Sequence, residues 1–207
     1  GLFQEAVVLY RELLSAGPDP FAAAGLLHCL RKQGLFEEAL PLCNDIMREY
    51  TDSDWCTNEA IWTLVQGKLE KLNDSAGIEE TISIAEAILA LNPTDNSIRW
   101  RVVHRVLKKA KASKKWDLVS TWAYKVNPDQ LSEVPMADGQ GREGWCDKAI
   151  WNNYFIQSLV ETGDQETAIS LSKKAAEAFP RQDKFFKRLS ALASLRIKRL
   201  IEAEQIY

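Results

Sequence analysis

The chain has 207 residues, 46% of them apolar and 27% charged, an ordinary globular composition that excludes a wholly disordered polymer. With 10 Gly and 7 Pro it is neither collagen-like nor dominated by linkers. The net charge of −3 hides a division: residues 1–96 carry 6 Lys/Arg and 16 Asp/Glu (−10), and residues 97–207 carry 20 and 13 (+7).

Helical periodicity runs through the chain, with apolar residues at three- and four-residue steps and turn residues between. The pattern is already under way at Gly1-Leu2-Phe3, with no initiator Met, so a fragment of a longer protein is expected. From Phe21 to Gln33 an apolar face of Phe21, Ala23, Ala24, Leu26, Leu27 and Leu30 predicts a helix ended by Gly34, which tolerates a left-handed backbone. Leu35 to Leu40 opens the next helix, continued by Leu42, Cys43, Ile46 and Met47. So short a turn makes the two helices antiparallel neighbours, and small Ala39 allows them to approach closely.

The phrase Gly34-Leu35-Phe36-Glu37-Glu38-Ala39-Leu40 repeats Gly1-Leu2-Phe3-Gln4-Glu5-Ala6-Val7 at a shift of 33. A third version opens at Gly163 and ends at Phe179-Pro180, and Arg199-Leu200-Ile201 is expected to start a fourth. A longer echo relates Trp55-Cys56 through Ile61-Trp62 to Trp145-Cys146 through Ile150-Trp151. The rhythm loosens around Asn73-Asp74-Ser75, where about three residues are extra, and at Lys111 to Lys115, where a Gly turn is expected. It breaks between Asn127 and Gly144, a stretch holding Pro128, Pro135, Gly139 and Gly141 that predicts an irregular loop over 127–144.

A period near 34 residues with this grammar is the mark of a helical solenoid, and the repeats resemble the tetratricopeptide family. The unit Pro20–Asp52 fits that family's second helix, and Asn152–Pro180 fits nearly throughout. The resemblance implies one all-α domain over 1–207, a right-handed α-solenoid of antiparallel helix hairpins whose first helices line a concave groove.

Few residues suggest chemistry. There is no glycine-rich phosphate loop, no Gly-x-Ser-x-Gly elbow and no His-Glu-x-x-His helix, so neither an enzyme nor a cofactor is expected. The two histidines, His28 and His104, lack companions at metal-ligand spacing. The four cysteines form no Cys-x-x-Cys pair and read as buried free thiols in a cytoplasmic or otherwise reducing compartment. No secretory start is present, and the longest uncharged stretch, Ala149 to Val160, is too short to span a bilayer.

The informative constellation is basic. Eight Lys and Arg stand between Arg99 and Lys115 with no acid among them. On a helix Arg101, Arg105 and Lys108 share one face, opposite Val102, Val103, Val106 and Leu107. The resemblance turns this stripe toward the groove, with Asn153 and Gln157 at the matching positions of the next first helix and Lys187 and Arg188 in the last. Such side chains suit a carboxylate or phosphate. The sequence thus points to a non-catalytic scaffold or adaptor that binds an acidic protein or peptide segment. Two alternatives stay open: a nucleic-acid-binding repeat using residues 97–207, and self-association through the acidic and basic halves.

Overall fold

In a computed structural model the chain is described over residues 1–72, 76–134 and 145–204, with side chains as far as Ile201. Every regular element among them is helical. They form two compact units, Gly1–Lys109 and Ala110–Tyr207. Asn73-Asp74-Ser75 and the 135–144 part of the expected loop lie outside the described residues.

The first unit opens with α1 (Leu2–Ala16), α2 (Pro20–Lys32) and α3 (Phe36–Glu49). Asp19 caps α2 by accepting the Ala22 N–H at 2.9 Å, which satisfies one of the orphan donors of a helix start. Leu27, Leu30, Ala39 and Cys43 are fully buried, and small Ala39 lies within the packed α2–α3 hairpin as expected. Then come α4 (Asp54–Leu64), whose last turn widens into a π-helical segment Val65–Leu69, and α5 (Ile78–Ala90). The helix α2 also packs on α4, and α5 on the π-helical segment, so the apolar stripe of α2 is buried by its neighbours, whereas α1 leaves Leu2, Val8, Leu9 and Leu13 exposed.

The helix α6 (Asn96–Ala112) supplies residues to both units; the second unit continues with α7 (Trp116–Ala123), a 3₁₀ turn Pro128–Gln130, α8 (Asp147–Thr162), α9 (Gln165–Ala178) and α10 (Asp183–Glu204). There α7 packs on α8, α8 on α9, and α9 on α10. The expected fresh start at Arg199 is not found: α10 runs unbroken through it. No Gly or left-handed residue interrupts the segment, and Arg196 and Arg199 fasten it to Glu166 and Gln165 of α9 at 3.1 and 2.8 Å.

One turn succeeds without its glycine. Gly34 and Gly163 take φ of 74° and 93°, and Lys114, at the corresponding place after α6, takes 54°. The hydrogen bonds match as well: Leu35 N–H to Leu30 and Gly34 N–H to Arg31, against Lys115 N–H to Ala110 and Lys114 N–H to Lys111. This paired closure ends a helix whatever residue carries the left-handed backbone, but a side chain there is strained by about 1–2 kcal/mol. Because glycine also loses more freedom on folding, Lys114→Gly is expected to stabilise the protein by only about 0.5–1 kcal/mol, read as a raised midpoint in urea.

Candidate functional site

In the first unit the polar residues of α2, α4 and α6 form a seam. Arg31 of α2 pairs with Glu59 of α4 at 2.8 Å and donates to Gln66 Oε1 at 3.3 Å. The other Glu59 oxygen lies 3.3 Å from His28 Nδ1. The basic stripe of α6 continues the pattern. Arg101 reaches Glu70 at 3.6 Å and stands 5.9 Å from the Trp62 ring centroid. Arg105 donates to the Leu72 carbonyl, while Arg99 donates to the Pro93 carbonyl and Asn92 Oδ1. Lys108 is exposed.

The stripe is therefore not uncompensated, as its acid-free sequence suggests. Glu70 and backbone carbonyls from the preceding segment answer it, and such partners are invisible to a reading of one helix. The opposite face is as expected: Val102, Val103, Val106 and Leu107 are all fully buried.

In the second unit the expected residues sit on α8 and α10. Arg188 donates through Nη1 to the Asn153 backbone carbonyl at 3.2 Å. Asn153 is buried, and its Oδ1 has no partner among the described residues. Gln157 is half-buried beside them along α8. Lys187 stands apart, mostly in solvent and 4.0 Å from Asp183. Arg188 and Asn153 are thus brought together; among the described residues no such contact is made by Gln157 or Lys187. Arginine hydrogen bonds to the segment about one repeat away recur at separations of 35 (Arg31 and Gln66), 33 (Arg105 and Leu72) and 35 residues (Arg188 and Asn153), close to the repeat period.

Two further cations belong with this second group and were not anticipated there. The Lys111 ammonium, on the last turn of α6, lies 5.1 Å from the Tyr154 ring centroid. Lys184, one turn before Arg188, lies 5.7 Å from the Trp145 ring. Burial depresses the Lys111 pKa, and the Lys184 and Arg188 charges depress it further. Burial also lowers Arg188, against a smaller opposing effect of Glu161, and raises Tyr154. Lys111 follows Arg101, Arg105 and Lys108 at helical spacing, so extending the stripe by one turn would have found it.

Elsewhere the reactive groups are shielded. All four cysteines are unpaired and buried; burial pushes the Cys43 thiol up to about 12. Among the described residues no group of three or more His, Cys, Asp or Glu is placed to hold a metal ion, and no helix is long and apolar enough to cross a membrane.

No protein-family model and no curated protein matches the chain. Several solved structures are similar to it, two of them as follows. One is the MamA RS-1 ArsTM double mutant, at 16% identity and a TM-score of 0.48, covering 97% of this chain and 90% of that one. The other is TTC0263, a thermophilic TPR protein in Thermus thermophilus, at 15% identity and a TM-score of 0.37, covering 92% and 90%.

Proposed function

We propose that the chain is a non-catalytic binding scaffold that captures an acidic segment of another protein on its first helices. One observation carries this reading: Lys111, Lys184 and Arg188 gather in the second unit with no acid within ion-pair distance among the described residues. Lys111 and Arg188 are half-buried while Lys184 is exposed, and partly dehydrated cations near further positive charge are costly unless an anion joins them. Taken by itself, the first unit offers a separate cationic surface at exposed Lys108 and at Arg101, which also reaches Glu70 at 3.6 Å. Unpaired buried thiols fit a cytoplasmic or other reducing compartment.

A fluorescein-labelled Glu-rich peptide followed by anisotropy tests the reading. Saturable binding that weakens as salt rises is expected, with about a two- to fivefold loss when Lys108 or Arg101 is changed to Ala, typical of an exposed charge pair. A charge-reversed, Lys-rich peptide should not bind. Equal affinity for both peptides would defeat the assignment, as would tighter binding of a single-stranded oligonucleotide, which would favour the nucleic-acid reading.

A further inference from the structure

The cations of the second unit differ from an ordinary solvated basic face. Lys184 and Arg188 are four residues apart on α10, so they share one side of the helix, and Lys111 enters from the last turn of α6. Each has a fixed neighbour: Tyr154 beneath Lys111, Trp145 beside Lys184, and the Asn153 carbonyl holding one guanidinium nitrogen of Arg188. Arg188 spends only Nη1 on that carbonyl, leaving N–H donors of its planar fork for an oxyanion. The acid whose charge bears on Arg188 is Glu161, on α8 and exposed. Asp183 on the same helix is answered by Lys187 at 4.0 Å, so against Glu161 the three cations carry an excess of two positive charges.

A single carboxylate would neutralise half of that excess, whereas a phosphoryl group at neutral pH carries up to two charges and three acceptor oxygens. We propose that Lys111, Lys184 and Arg188 form a phosphoryl-binding site, with Arg188 as the forked donor and the two lysines as flanking charges. A phosphorylated side chain on the captured segment is one source of the group and free phosphate the other. In its first form the proposal rests on the scaffold reading above; in its second it does not.

Calorimetry on the whole chain at constant ionic strength separates these possibilities. The probes are inorganic phosphate and one acidic peptide bearing Ser, phosphoserine or Glu at its centre. The phosphoserine peptide should bind at least about tenfold tighter than the Ser or Glu versions, and Arg188→Gln and Lys111→Gln should each remove most of that gain. Lys174→Gln, an exposed change on α9, should leave it intact. Circular dichroism of each variant establishes that it is folded, and Arg188→Lys, which keeps charge but loses the fork, should be intermediate. Phosphate binding that Arg188→Gln abolishes, with no binding of any peptide, upholds the site while the scaffold reading fails. Equal affinity for the Glu and phosphoserine peptides, together with phosphate binding that is absent or unaffected by Arg188→Gln and Lys111→Gln, overturns it.

Discussion

Glu59→Ala is expected to destabilise the first unit by roughly 3–5 kcal/mol, because it strands a buried guanidinium. The Arg31 side chain is 8% exposed and that of Glu59 12%, so neither charge has ready access to water. Arg31 already has a buried Nε without a partner among the described residues. Its remaining neighbours, Gln66 Oε1 at 3.3 Å and His28 Nδ1 at 3.2 Å, carry no negative charge to replace the lost carboxylate. The cost is thus that of an uncompensated buried ion, and removing both ions together should avoid it. The double variant Arg31→Met/Glu59→Leu is expected to lie within about 1–2 kcal/mol of the native chain, since well-packed apolar groups replace buried ion pairs at little loss. Urea unfolding followed by circular dichroism reads both. A Glu59→Ala chain within about 1 kcal/mol of native would show that water reaches the pair, and the seam would then be a surface feature.

The hairpins were legible because their signals are local. An apolar stripe, a left-handed residue and a second stripe sit within a few residues of each other around Gly34 and Gly163, so α2 with α3 and α8 with α9 follow from the repeated phrase. Lys114 hid its turn because the closure is made by backbone hydrogen bonds that tolerate, at a cost, a residue with a side chain. The phrase at Arg199 misled for the opposite reason. Leu200, Ile201 and Ala203 copy the opening of a helix, but a helix restarts only where something ends the previous one, and no residue before Arg199 does so.

The candidate site was less legible, since it depends on which side chains meet across helices about a repeat apart. Arg101 and Arg105 were correctly placed on one face, yet their partners, Glu70 and the Leu72 carbonyl, come from the preceding segment. The His28, Arg31 and Glu59 cluster carries no motif at all. Arg31 looks like an ordinary basic residue in the last turn of α2, where it complements the helix dipole, and only burial against α4 shows its second role. Lys111 and Arg188 share a neighbourhood only through α8, where one stands over the Tyr154 ring and the other donates to the adjacent Asn153 carbonyl.

The echoed tryptophans put this distinction to an experiment. The sequence echo sets Trp62 and Trp151, and likewise Trp55 and Trp145, as equivalents. In the structure Trp151 is buried against Phe155, with ring centroids 5.0 Å apart, and donates its indole N–H to the Ala123 carbonyl at 2.9 Å. That carbonyl ends α7, where no further helical turn supplies a donor; its other bond, from the Val126 N–H, is long at 3.4 Å. Trp55 remains 43% exposed and leans on Phe21, which is itself 60% exposed. Trp151→Ala should therefore cost about 3–5 kcal/mol through lost burial and the cavity left behind, and Trp55→Ala about 1 kcal/mol or less. Trp151→Phe should fall between, at about 1–3 kcal/mol, because it keeps a ring in place but removes the indole donor. Matched urea titrations of the three variants check the order. If Trp55→Ala proved as damaging as Trp151→Ala, the aromatic pair of α2 and α4 would be a core element, and its exposure would leave that loss without a physical cause.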